Sequence, residues 1–119
     1  MIRTEGLTHI NLLVSDIRRA KRFYETVFGL REMFWDGPHL VFLRPPGTED
    51  TITIQQVERA EPGPGNIDHF GFRLVDRAEL TLAIEEVVAA GGRLLERGEH
   101  APGQSYAYVT DPDGHVIEL

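Results

Sequence analysis

The sequence predicts an α+β fold built from two β-α-β-β-β modules, whose strands form a curled, cupped mixed sheet with the helices outside. Three observations predict it. In each half of the chain the hydrophobic period passes from two to about 3.6 and back. A proline- and glycine-rich stretch falls near the middle. Matching residues also recur at a fixed offset, His9 and Asp16 standing sixty positions before His69 and Asp76. With 119 residues the chain has room for one domain, so the repeat describes two halves of a single unit, 1–119.

In residues 7–14 (LTHINLLV), Ile10, Leu12 and Val14 share one face and His9, Asn11 and Leu13 the other, as in a strand with one buried side. Asp16 is a good N-cap, Ile17, Ala20, Phe23 and Val27 follow at helical spacing, and Gly29 supplies a left-handed stop. Residues 30–35, 40–44 and 51–57 read as three short strands, broken by Asp36-Gly37-Pro38 and Pro45-Pro46-Gly47. Residues 58–66 (ERAEPGPGN) hold no large apolar side chain and read as an exposed connector between repeats at about 5–57 and 67–119. The next strand, 67–75, puts Phe70, Phe72 and Leu74 on one face and His69, Gly71 and Arg73 on the other. Asp76 and Glu79 match a capping box ahead of a helix carrying Leu80, Ile84, Val87 and Val88, which Gly91-Gly92 ends. Strands at 93–96, 106–110 and 116–119 complete the second module, the last after a tight Asp111-Pro112-Asp113-Gly114 turn.

Nineteen acidic against twelve basic residues give a net charge of −7, with no run of Lys and Arg, which argues against nucleic acid or an anionic membrane as partner. The absence of cysteine removes disulfides and thiolate chemistry, so any metal must be held by nitrogen and oxygen. No apolar segment reads as a signal peptide or a membrane span, and the cytoplasm is the expected location.

The repeat places four residues equivalently: His9 and His69 in the first strands, Gln55 and Glu118 in the last. The opposite face of each strand is the oily one, so all four are expected on the concave side of the sheet. Two imidazoles and a carboxylate there form a facial triad suited to one divalent ion, Fe, Mn, Zn, Ni or Co, with Gln55 as a fourth, neutral oxygen. A half-buried histidine satisfied by backbone groups is the plainer reading of either residue alone. The symmetric pair argues against it. Trp35, Phe42 and Arg44 lie on the middle strands with His39, where a substrate pocket can recruit them. Arg44 suits a carboxylate or phosphonate, although core packing for the aromatics and solvent for Arg44 are the simpler roles. His115, in the last turn, reads as surface.

These residues sit in segments that resemble the vicinal oxygen chelate superfamily of glyoxalases, extradiol dioxygenases, epimerases, fosfomycin-modifying transferases and bleomycin-resistance proteins. The segments are LTHINLLVSD from Leu7, FYETVFGL from Phe23, DHFGF from Asp68 and DPDGHVIEL from Asp111. The resemblance implies a cupped sheet around a divalent metal that chelates two neighbouring oxygens of a small-molecule substrate. By position, His9, His69 and Glu118 correspond to the metal ligands and Gln55 to a fourth site that varies between branches. It also implies a homodimer that buries apolar sheet edges, with the metal site assembled in one chain or across two.

Gly98-x-His100, Tyr108, Asp111-Pro112, Gly114 and Glu118 nearly match the signature of the extradiol dioxygenases, in which the His100 and Tyr108 positions assist ring cleavage. Ala107 departs from it where a larger apolar residue is usual, and those enzymes commonly carry two paired modules where this chain has one pair. Aromatic wall and solvated loop are the plainer roles of Tyr108 and His100. Gln55 instead looks like the four-ligand set of the glyoxalase and epimerase branches, where Glu118 would also shuttle a proton. The expected function is thus a metal-dependent lyase or isomerase. An Fe(II) dioxygenase and a metal-free binding protein for antibiotics or other small molecules are the alternatives.

Overall fold

Strand alternation and one amphipathic helix account for the first half of the molecule. The computed structural model describes residues 1–119, which divide into two compact units, Met1–Ala60 and Glu61–Leu119. In the first unit the order is β1 (Ile10–Val14), α1 (Ile17–Phe28), β2 (Arg31–Trp35), β3 (Leu40–Arg44) and β4 (Ile52–Gln56). The strands form a mixed sheet in the order β1-β4-β3-β2, with β1 parallel to β4. Asp16 caps α1 by accepting from the amides of Arg18 and Arg19, each at 3.1 Å. A second cap comes from Gln56, whose Oε1 accepts from Ile17 N at 3.0 Å. Gly29 ends the helix with φ 64°, a conformation that costs a β-carbon-bearing residue energy. Ile17, Ala20, Phe23 and Tyr24 of α1 are buried with Leu12, Val14, Val41, Leu43 and Ile54 of the sheet, the larger of them contributing about 1.5–3 kcal/mol each.

The second unit repeats this plan with β5 (Phe70–Gly71), a 3-10 turn (Arg77–Glu79), α2 (Leu80–Ala89), β6 (Arg93–Glu99), β7 (Ser105–Thr110) and β8 (Val116–Glu118). Its sheet runs β5-β8-β7-β6, again with the first strand parallel to the last. Leu80, Ile84 and Val87 of α2 are buried with Ala107, Val109 and Ile117. Gly92 lets the chain turn from α2 into β6, because a β-carbon there would stand 2.1 Å from Thr110 O and 2.6 Å from Val87 Cγ1.

The second unit departs from the sequence expectations in three places. The strand expected over 67–75 is two residues long, since its only partner is the three-residue β8, and the pairing ends where Phe72 N donates to Glu118 O at 2.9 Å. The strand expected at 93–96 runs on to Glu99, because β7 supplies partners as far as Ser105. Asp76 accepts from Ala78 N at 2.8 Å, but Glu79 returns no side-chain bond, so a 3-10 turn replaces the capping box. The 58–66 connector is mostly exposed, with Gly63 N anchored on Asp113 O at 3.1 Å. No helix is long and apolar enough to cross a membrane.

Candidate metal and substrate site

In the second unit four candidate residues meet on the sheet face opposite α2. Tyr108 and Glu118 are cross-strand neighbours, and Gly71, paired with Glu118, leaves its face clear. A β-carbon on Gly71 would stand 3.2 Å from Glu118 O and 3.5 Å from Glu118 Cβ. His69, two residues before Gly71, points its Nε2 at Glu118 Oε2 at 3.2 Å and its Nδ1 at Asp68 Oδ2 at 2.6 Å. His100, from the loop after β6, reaches Glu118 Oε1 with its Nε2 at 2.8 Å and stacks on Tyr106 at 4.1 Å. Tyr108 meets the His69 ring edge-on at 4.9 Å.

The electrostatics follow from this crowding. Desolvation, then the Glu118 charge, with Glu96 and Asp68 adding less, raises the Tyr108 phenol above its ordinary value. Tyr106 is raised chiefly because its hydroxyl donates to Glu96. Both phenols therefore stay protonated donors near neutral pH.

In the first unit the equivalent pair is looser. His9 is exposed just before β1, with Nδ1 2.9 Å from Thr8 Oγ1 and its ring 6.4 Å from Phe42. Gln55 sits beside Leu13 of β1, and its Oε1 accepts from Asn11 Nδ2 at 2.9 Å, while Asn11 Oδ1 accepts from Thr53 at 2.6 Å. The second lone pair of the Gln55 oxygen is left for another partner. Phe42 stacks on Phe34 at 4.3 Å, and Trp35 is exposed on β2, so neither is plain core. Arg44 turns to Glu49, at 3.4 Å, and to Thr51, with its Nε buried and unpaired. His39 is exposed, and His115 is held by Asp111 at 2.8 Å inside the last turn.

Residues 6–119 match the family described as the Glyoxalase/Bleomycin resistance protein/Dioxygenase superfamily. The chain belongs to this superfamily. It is 29% identical to lactoylglutathione lyase of Haemophilus influenzae, over 95% of this chain and 90% of that one. It is 28% identical to catechol-2,3-dioxygenase of Bacillus subtilis, over 94% of this chain but 41% of that longer relative. Among solved structures, the fosfomycin resistance protein FosX of Listeria monocytogenes, an E126Q mutant complexed with Mn(II) and a dihydroxypropylphosphonic acid, superposes with a TM-score of 0.81. Its sequence is 24% identical, with 98% of this chain and 90% of that one covered, and the likeness is one of fold.

Members of this superfamily commonly use a divalent metal, and the donor chemistry at His69 and Glu118 tests the fit. His69 Nδ1 lies 2.6 Å from Asp68 Oδ2 while its Nε2 lies 3.2 Å from Glu118 Oε2, so each ring nitrogen has a carboxylate beside it. An imidazole nitrogen and a carboxylate oxygen at 3.2 Å hold a proton or a cation between them. Ligands bound at about 2.0–2.2 Å to a common ion lie roughly 3 Å apart, so the pair fits as half of a coordination sphere. No three His, Asp or Glu side chains form a metal-holding group in the structure.

Sequence reasoning missed Asp68 and Asn11 as partners of the candidate ligands. The signals were present: Asp68 precedes His69, and Asn11 lies two residues from His9 on the same strand face. A cavity of about 380 Å³ also opens in the second unit, lined among others by His100, Tyr106, Glu118, Arg73 and Arg77.

Proposed function

We propose that the protein is a divalent-metal-dependent enzyme acting on a small substrate that presents two adjacent oxygens, and that its chemistry is a non-redox lyase or isomerase reaction. The observation that carries this reading is the Asp68–His69–Glu118 chain, which brings an imidazole nitrogen and a carboxylate oxygen to 3.2 Å of one another. His69 and Glu118 would hold the ion together with His9, and Gln55 would add its amide oxygen. The ion would supply Lewis acidity where negative charge develops on a substrate oxygen. Glu118 has a second oxygen bonded to His100, so the carboxylate is held in place to take a proton from carbon beside a carbonyl. Tyr108, kept protonated by burial and by Glu118, is a donor on the same face. A cytoplasmic homodimer is part of this proposal.

A second reading, Fe(II)-dependent ring cleavage, is favoured by one observation: His100 and Tyr108 both flank the Glu118 and His69 pair. Two measurements separate the readings. Calorimetry of dialysed protein with Zn(II), Ni(II), Mn(II) and anaerobic Fe(II) should show binding of one ion per set of four residues, and no heat with any of them leaves only a metal-free binding protein. Turnover of hemithioacetals or acyl-CoA epimers by the Ni(II), Co(II) or Zn(II) forms is then compared with aerobic catechol cleavage by the Fe(II) form. Gln55→Ala should lower metal affinity and turnover in the first chemistry and leave iron binding nearly intact in the second. Ring cleavage well above the free-iron background overturns the preferred reading.

A further inference from the structure

We propose that the cavity of the second unit binds the anionic group of the substrate, a carboxylate, phosphonate or phosphate, between Arg73 and Arg77. The inference deepens the proposed function and rests on it for the role of Glu118. Both arginines border the cavity, both are exposed, and neither makes a hydrogen bond or ion pair. Lys21 and Arg44, by contrast, have each found a carboxylate within the fold. The one acidic side chain of the lining, Glu118, faces His69 and His100 with its two oxygens, and neither arginine pairs with it. Two guanidinium groups facing one cavity repel each other unless an anion lies between them, and a guanidinium fork matches the paired oxygens of such a group.

Position supports the same conclusion. Arg73 lies two residues beyond Gly71, where β5 has ended, and Arg77 opens the 3-10 turn. Gln104 and Ser105 add neutral polar groups to the lining, and Leu80 closes it with apolar surface. The volume, about 380 Å³, is at the small end for ligand pockets, which suits a compact metabolite. Such a molecule would be clamped by its anionic end at the arginines while its other end meets His100 and Glu118.

The test uses the full chain freed of metal by dialysis against chelator, with phenylphosphonate, benzoate and neutral benzyl alcohol as probes. Binding is followed by the backbone amide signals of Gln104 and Ser105. Either anion should shift these signals, with affinity falling about tenfold or more in Arg73→Gln and in Arg77→Gln, the loss expected for one charge-assisted contact. Arg22→Gln, on α1, should bind as the parent does. Tighter phenylphosphonate assigns a phosphonate or phosphate, and tighter benzoate a carboxylate. Equal binding of benzyl alcohol, absence of any shift, or parent-like affinity in both arginine variants overturns the proposal. His69→Ala should keep anion binding while losing metal. The two readings therefore fail separately: anion binding without metal binding removes only the metal-dependent enzyme, and metal binding without anion binding removes only the arginine clamp. Thermal melts of the glutamine variants should match the parent, since neither arginine has a partner in the fold to lose.

Discussion

Glu118 is placed between two imidazoles, and its two oxygens have different partners. His100 has only Glu118 at its Nε2, whereas His69 has a carboxylate at each ring nitrogen, with Asp68 orienting the ring, and this asymmetry makes the His69 side the place for a cation. His69→Ala and Glu118→Ala are therefore expected to weaken divalent-metal binding by about a hundredfold or more, and Asp68→Asn by about tenfold, the low end for a partner that orients a ligand because Asp68 is largely exposed. His115→Ala should leave the affinity unchanged, since its ring is tied to Asp111 in the turn. Calorimetric titration of each variant checks the series, and equal affinity in His69→Ala and His115→Ala would falsify it.

At the scale of elements, α2 and β6 depend on one close approach and α1 on one charge network. Gly92 stands where a methyl group would meet Thr110 O and Val87 Cγ1, both well inside van der Waals contact. Gly92→Ala is expected to destabilise the fold by about 3 kcal/mol or more, as overpacking against backbone does, and chemical denaturation would show it. Lys21 on α1 binds Glu25 at 2.7 Å and Glu32 of β2 at 3.0 Å, tying helix to sheet. The bond to Glu25, opposed by partial burial and aided by Glu32, raises Lys21 above its ordinary 10.5. The Lys21 bond lowers Glu32 below its ordinary 4.5. The raised lysine contributes fully below pH 10.5 and its contribution is lost as pH rises through the folded value. The lowered carboxylate contributes fully above pH 4.5 and fades as pH falls through its folded value. The melting-temperature gap between parent and Lys21→Gln should thus be flat from pH 4.5 to 10.5, close outside that window, and narrow at high salt. A gap independent of both pH and salt would assign the residue to packing alone.

For the molecule as a whole, the two units share one strand order, and each carries exposed apolar side chains on its outer strand. Phe34 and Leu95 are half exposed, at 50% and 51%, with Met33, Trp35 and Leu94 beside them in sequence. Exposed apolar side chains clustered this way mark surfaces that association buries. Light scattering at micromolar concentration is expected to give the mass of two chains, and Phe34→Glu or Leu95→Glu to shift the population toward one. A parent protein that scatters as a monomer would remove the homodimer from the proposal.

What the sequence determined by itself was whatever local period and punctuation encode. Asp16 and Gly29 bound α1 as expected because caps are one-residue devices, and residues 40–44 form the strand that alternation predicts. The sixty-residue offset between His9 and His69 makes the repeat, and with it the candidate ligands, legible in the sequence. Tertiary structure decided the rest, because it depends on partners distant in the chain. The first strand of the second half is two residues long since β8 offers no further ladder, a length that residues 67–75 do not contain. His100 turns to Glu118 across eighteen positions, and Arg44 meets Glu49 across a loop. Arg73 and Arg77 became noticeable only when the folded chain left them facing one cavity with no carboxylate to pair them. Side-chain pairing of this kind is set by distance in space, to which hydrophobic periodicity is blind.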